Sequence, residues 1–235
     1  MKYVALLYGD ERVSEPASEA WREVLPGYLR FAERAGGAIV GGGALEGVTT
    51  AATVRSDGGS ALVIDGPFAE GPEVVGGFYV LEAGSLDDAI ELARSIPAAE
   101  HGAVELRPAV EWFVAGPAAA GDRYLALLWG VETEAEVPGS EAWERGAAEH
   151  GAFGRAAGEA VRAGAALHPA ASATTVRVRD GELLLKDGPY GETAEVVGGL
   201  YVLAAPDRRA ATELAARIPV AEGGAVELRP MLEMG

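Results

Sequence analysis

Residues 65–83, DGPFAEGPEVVGGFYVLEA, return at 187–205 as DGPYGETAEVVGGLYVLAA, with 13 identities in 19 positions at an offset of 122. Similarity of that density between two parts of one chain marks an internal duplication. Around this stretch, Gly102-Ala103-Val104-Glu105-Leu106-Arg107-Pro108 recurs unchanged at 224–230, and Ser18-Glu19-Ala20-Trp21 recurs at 140–143. Tyr3 to Gly9 matches Tyr124 to Gly130 at an offset of 121, so one residue is inserted after the first strand of the second copy. The copies occupy 1–113 and 122–235. They are joined at 114–121, where Ala115-Gly116-Pro117-Ala118-Ala119-Ala120-Gly121 has the composition of a short linker.

Each copy carries the same order of local signals. Tyr3–Tyr8 and Tyr124–Trp129 are β-prone apolar runs. At 18–35 and 140–157, Trp21, Leu25, Tyr28, Leu29 and Phe31, or Trp143, Ala147, His150 and Phe153, follow helical spacing. Gly36-Gly37 and Gly158 stop these helices. A second strand is expected at 38–45 and 160–167, and then a hairpin turning at Asp57-Gly58 or Asp180-Gly181. After the Asp-Gly-Pro turn come a strand at 77–81 or 199–203, a helix at 85–96 or 207–218 that ends before Pro97 or Pro219, and a closing strand at 103–107 or 225–229. This β-α-β-(β)-β-α-β order is the split βαβ pattern of a ferredoxin-like α+β domain. Its two helices cover one sheet face and leave the other in need of a partner. Two tandem copies supply that partner, sheet against sheet, so the expected architecture is an intrachain pseudo-dimeric α/β barrel.

Composition narrows the function classes. A hydrophobic share of 49% with 23% charged residues is that of a folded chain. No apolar run reaches the roughly 18 to 20 residues of a bilayer span, and Met1-Lys2-Tyr3 leads into a strand rather than a signal peptide, so a cytoplasmic protein without membrane contact is expected. Zero cysteines exclude disulfides, thiolate nucleophiles and Cys-based zinc sites, and three histidines at 101, 150 and 168 match no compact ligand motif. No metal or cofactor is expected. A net charge of −17 with 19 scattered Lys and Arg argues against direct nucleic-acid binding.

The string Asp65-Gly66-Pro67-Phe68, Val75-Gly76-Gly77-Phe78-Tyr79, Ile96-Pro97 and Val104-Glu105-Leu106-Arg107-Pro108, repeated in order in the second copy with Tyr190 for Phe68 and Leu200 for Phe78, resembles the DGPF subgroup of the YCII-related family. The resemblance implies a dimeric ferredoxin-like barrel, usually built from two single-domain chains, with a cleft beside the sheet; this chain looks like a fused version of that dimer. It also implies an enzymatic role through a histidine and an aspartate, likeness of one relative to a dehydrochlorinase, and association with extracytoplasmic-function sigma factors. Fold-level analogy does not transfer chemistry.

His150, in Glu149-His150-Gly151-Ala152-Phe153, resembles the family's helix histidine and could act as general acid or base. The first copy has Tyr28 at the matching position, so at most one of two pseudo-symmetric sites could use that chemistry. The plainer reading is a helix histidine half covered by the sheet. Asp65 and Asp187, which head the repeated signature, are the candidate carboxylate partners. The plainer reading is structural, because turn chemistry accounts for every residue type in the motif: Asp accepts a hydrogen bond from the backbone N–H two residues on, Gly permits positive φ and Pro presets the bend. His101 and His168 read as surface residues, Trp21 and Trp143 as core or repeat-interface residues, and Arg107 and Arg229 as edge ion pairs with Glu105 and Glu227 or as carboxylate binders. The repeated glycines fit neither G-x-G-x-x-G nor a P-loop.

Three readings stay open at this level. One is a small-molecule enzyme of His/Asp proton-transfer type, lyase-like, with a pocket beside His150. Another is a non-catalytic ligand-sensing or regulatory accessory to a sigma factor. The third is a structural adaptor. The internal pseudo-dimer leaves further homodimerisation open in each.

Overall fold

The computed structural model describes residues 1–10, 18–57, 60–68, 73–116, 121–132, 137–191 and 193–232. The first copy contains β1 (Lys2–Asp10), α1 (Glu19–Ala35), β2 (Ile39–Ala44), β3 (Ala52–Asp57), β4 (Ser60–Asp65), β5 (Glu73–Glu82), α2 (Leu86–Ala93), α3 (Ala98–His101) and β6 (Ala103–Val114). The second contains β7 (Asp122–Val131), α4 (Glu141–Ala157), β8 (Val161–Leu167), β9 (Thr174–Arg179), β10 (Glu182–Asp187), β11 (Glu195–Ala205), α5 (Arg208–Ala215) and β12 (Ala225–Pro230). β6 continues seven residues beyond the expected closing strand, so Val114 is strand rather than connection. Residues 117–120 of the linker, and Gly58 of the first hairpin turn, lie outside the described residues.

The sequence explains the helix starts. Ser18 and Ser140 cap α1 and α4, each accepting from the backbone N–H three residues on (Trp21, 2.9 Å; Trp143, 3.0 Å). Ser85 and Asp207 do the same for α2 and α5. The β9–β10 hairpin turns through Asp180 and Gly181, both at positive φ (53° and 79°), as a two-residue turn requires.

The strands run β2-β5-β1-β6 in the first copy and β8-β11-β7-β12 in the second, the ferredoxin-like order. β1 is apolar on both faces because both are covered: Tyr3, Ala5 and Leu7 face the first copy's helices, while Val4, Leu6 and Tyr8 face the other copy. Leu125, Leu127 and Trp129 of β7 meet the latter from the opposite sheet.

The hairpins are exchanged. β3 pairs with β12 of the second copy through Val54↔Val226, and β9 pairs with β6 of the first through Val176↔Val104. Each sheet therefore ends in a hairpin from the other copy. β6 also crosses from one sheet to the other, pairing with β8 through residues 109–114. Among the described residues the pseudo-equivalent seam carries an isolated bridge, Leu45↔Met231, flanked by backbone bonds from Glu46 N–H to Pro230 O and from Leu232 N–H to Ala44 O, so the expected face-to-face arrangement of two ferredoxin-like sheets is present but among these residues the sheet is not closed into a barrel.

Candidate functional site

Three places bear on function, and the aspartates of the signature turn are best taken first. Gly66 and Gly188 adopt positive φ (112° and 95°), and their N–H groups bond to Ala51 O and Ala173 O. Thr53 and Thr175 hydroxyls donate to Gly66 O and Gly188 O, both at 3.0 Å. The turn is thus held by backbone and threonine. The expected Asp acceptor bond does not form, since the residue two on is a proline with no N–H. Asp65 instead pairs with Arg208 at 2.6 Å in an exposed contact, and Asp187 is an exposed strand end.

The turn's function is to deliver the next residue into the opposite copy. Phe68 N–H donates to Glu227 (3.1 Å), and its ring stacks on Trp129 with centroids 5.2 Å apart. Tyr190 N–H donates to Glu105 (2.9 Å), and its ring stacks on Tyr8 at 4.2 Å. Arg55 and Arg177 lie over these rings, each 5.2 Å from the centroid. Behind each ring sits a buried ion pair, Arg107–Glu105 (3.1 Å) and Arg229–Glu227 (3.4 Å). Both arginines are 1% exposed and also donate to carbonyls across the seam, of His168 (3.0 Å) and of Glu46. The edge ion pair expected from the sequence is therefore corrected: β6 and β12 have partners on both sides, and these pairs are in the core. Burial raises the Glu105 carboxyl above its ordinary range, against the lowering effects of Arg107 and the Tyr8 hydroxyl.

His150 lies on α4, half-buried, with Nδ1 3.0 Å from the Tyr201 hydroxyl. Burial lowers the imidazole pKa and pushes Tyr201 up to about 12, so at neutral pH the pair is uncharged. Phe113 and Phe153 meet the same Tyr201 ring edge-on. Among the described residues, no hydrogen bond or ion pair joins His150 to Asp65 or Asp187, so the three expected site residues are not brought together by contact.

The cavity lies in the first copy, beside the residue that replaces His150. About 280 Å³ lies in an open cleft between α1 and the sheet, walled by Trp21, Val24 and Tyr28 of α1 and by Leu7, Tyr79 and the backbone of Gly42. Trp21 stacks on Tyr28 (6.0 Å), and burial raises the pKa of both Tyr28 and Tyr79, which keeps their hydroxyls protonated. Asp10 and His101 also line it. His101 is exposed as the sequence suggested, whereas His168 is half-buried with its carbonyl held by Arg107. The sequence reading passed over Tyr8, Tyr190 and Arg177. One signal was present: Glu105 and Arg107 stand two apart in a strand, so they share a face, and the same heptad recurs in the other copy.

The comparisons agree with the duplication. A curated relative from Rhizobium meliloti (strain 1021), the uncharacterized protein R00369, is 36% identical over 113 residues, covering 46% of this chain and 91% of its own length. It is thus about the size of one copy. A crystal structure of the chlorite dismutase candidate TA0507 covers 99% of this chain and 94% of its own at a TM-score of 0.40 and 10% identity, a distant likeness in which no shared activity is read. The model of the YCII-related domain matches residues 1–113 and again 125–235, and the chain therefore belongs to the YCII-related family as a tandem of two such domains.

Proposed function

We propose that this protein is a small-molecule binder whose first copy holds an apolar or aromatic compound between α1 and the sheet. The observation that carries this reading is the aromatic cavity at Trp21, Tyr28 and Tyr79, with protonated hydroxyls that bind without acting as bases. The second copy differs at the same place, where His150 bonds Tyr201 and Phe113 packs on that ring. A duplicated chain with one binding copy and one altered copy suits the accessory, signal-sensing role that the family resemblance implies.

A second reading rests on the cavity wall. Asp10 and His101 both line it, which places a carboxylate and an imidazole on one wall, and proton transfer to a bound molecule would draw on these two rather than on His150.

The test uses a neutral fluorophore, N-phenyl-1-naphthylamine, titrated into the full chain. Binding is expected with energy transfer from Trp21, is lost in Val24→Trp, which fills the cavity, and survives Gly146→Trp at the matching position of the second copy. Absence of saturable binding, or binding indifferent to Val24→Trp, would overturn the reading. Turnover of a bound compound that His101→Gln abolishes would convert it into the second.

A further inference from the structure

The two copies build the same niche on the helix side of the sheet. Gly42 pairs with Tyr79 in the first and Gly164 with Tyr201 in the second, positions that match at the offset of 122. A phenylalanine of the long helix meets each tyrosine ring, Phe31 at 5.1 Å between centroids and Phe153 at 5.4 Å. Each tyrosine also lies against its glycine: a Cβ at Gly42 would stand 2.8 Å from Tyr79 Cδ1, and one at Gly164 2.9 Å from Tyr201 Cδ1. The second niche has an occupant. β6 runs beside β8 and pairs Phe113 with Gly164, which puts the Phe113 side chain on the same sheet face as Tyr201. Its ring covers the glycine, with Cε1 and Cζ 2.7 and 2.9 Å from where a Cβ would be, and it meets the Tyr201 ring edge-on at 6.4 Å. In the first copy, among the described residues, Gly42 has β5 as its strand partner and no further strand beyond it. Apart from Phe78 O and Tyr79, no described residue outside the glycine's own chain neighbours comes nearer than 3.3 Å to a Cβ at Gly42. Gly42, Tyr79 and Tyr28 instead line the open cleft.

Resting on the reading of that cleft as a ligand site, we propose that its ligand carries a neutral phenyl ring, seated on Gly42 and edge-on to Tyr79, where the second copy holds its own Phe113. The chain thus contains one niche closed by an internal ring and one left for an external ring. Aromatic pairs gain from edge-to-face contact beyond the area they bury, so the niche selects a ring and not bulk alone. The missing Cβ at Gly42 lets a flat group lie directly on the sheet backbone. Phe113 is 38% exposed in its niche, so the corresponding ring in the first copy keeps one side towards solvent, and a substituent there projects outward past β2. A neutral ring fits the surroundings: the Tyr79 hydroxyl stays protonated, and a net charge of −17 repels anions.

The experiment uses the full chain with benzyl alcohol as the probe, recording intermolecular NOEs by isotope-filtered NMR and displacement of N-phenyl-1-naphthylamine by fluorescence. The expected result is NOEs from the benzyl ring to Gly42 Hα and to the Tyr79 ring, with displacement of the fluorophore. Cyclohexylmethanol, of similar bulk but without an aromatic face, displaces it at least about threefold less well. Phe113→Ala, which empties the second niche, doubles the stoichiometry and adds NOEs to Gly164 Hα and the Tyr201 ring. NOEs only at other residues, equal displacement by cyclohexylmethanol, or a folded Phe113→Ala chain that gains no second site overturns the inference. Should Phe113→Ala fail to fold, the NOEs in the parent chain decide. Fluorophore binding that is lost in Val24→Trp yet untouched by benzyl alcohol refutes the phenyl ligand and leaves the binding reading standing, whereas absence of both fluorophore binding and benzyl NOEs refutes the two together.

Discussion

The buried pair Glu105–Arg107 permits a prediction in which the two single substitutions are unequal. Arg107 donates from Nε and Nη2 to one Glu105 oxygen (3.3 and 3.1 Å) and from Nη1 to His168 O, while the other Glu105 oxygen accepts from Tyr190 N–H. Removing Glu105 strands a guanidinium that cannot lose its proton. Removing Arg107 strands a carboxylate that can gain one, and burial already raises its pKa. Glu105→Leu should therefore cost about 3–5 kcal/mol, the range for an uncompensated buried charge. At roughly 2–4 °C per kcal/mol for a chain of this size, that lowers the thermal midpoint by about 10 °C. Arg107→Met should cost less at pH 7 and recover as pH falls. The sign follows from linkage: a carboxyl whose folded pKa lies above its unfolded value binds more protons when folded, so stability grows as pH drops through the folded pKa towards the ordinary value of 4.5. The double variant Glu105→Leu/Arg107→Met should lie within ~1 kcal/mol of the parent, because a buried ion pair is replaceable by an apolar one of similar volume. Urea unfolding at pH 7 and pH 5 across the four-member cycle measures all of this. Equal losses from the two single variants, or a coupling near zero, would refute the account.

Other outcomes follow from individual contacts. The lowered pKa of His150 means that the folded state binds fewer protons than the unfolded one, so this group's contribution is complete above pH 6.5 and is lost as pH falls below it; His150→Gln should flatten the pH–stability curve between pH 7 and 5. Gly102→Ala should prevent folding or cost more than ~3 kcal/mol in urea unfolding, since a Cβ there would lie 2.0 Å from Tyr8 O and 2.9 Å from Gly9 Cα, both backbone atoms that cannot swing aside. Asp65→Asn should change stability by less than ~1 kcal/mol, because its bond to Arg208 joins side chains 84% and 47% exposed; a larger loss in a denaturant titration would mean that the aspartate is integral to the turn after all.

The sequence by itself determined the duplication, the order of elements in each copy and the ferredoxin-like topology, because these rest on local signals: apolar periodicity, serine caps three residues before Trp21 and Trp143, glycines at positive φ in turns. It also located the signature turn and read Asp65 and Asp187 either as turn residues or as carboxylates beside His150; what it did not reach is that the turn delivers Phe68 or Tyr190 into the opposite copy. Tertiary structure alone decided where each hairpin went. β3 and β9 carry nothing that distinguishes their own sheet from the other copy's, since the strands that could accept them, β6 and β12, share one seven-residue sequence from 102 and 224 onward. Strand pairing is a non-local choice made by the whole set of contacts, and the exchange it selected put Tyr190 against Tyr8, Arg177 over Tyr190, and the Glu–Arg pairs in the core. The divergence between copies had the same origin. His150 and Tyr28 were visible as a difference in one letter, but only packing set His150 against Tyr201 with Phe113 beside it and left the cavity on the tyrosine side, because cavity volume is a sum over neighbours distant in sequence.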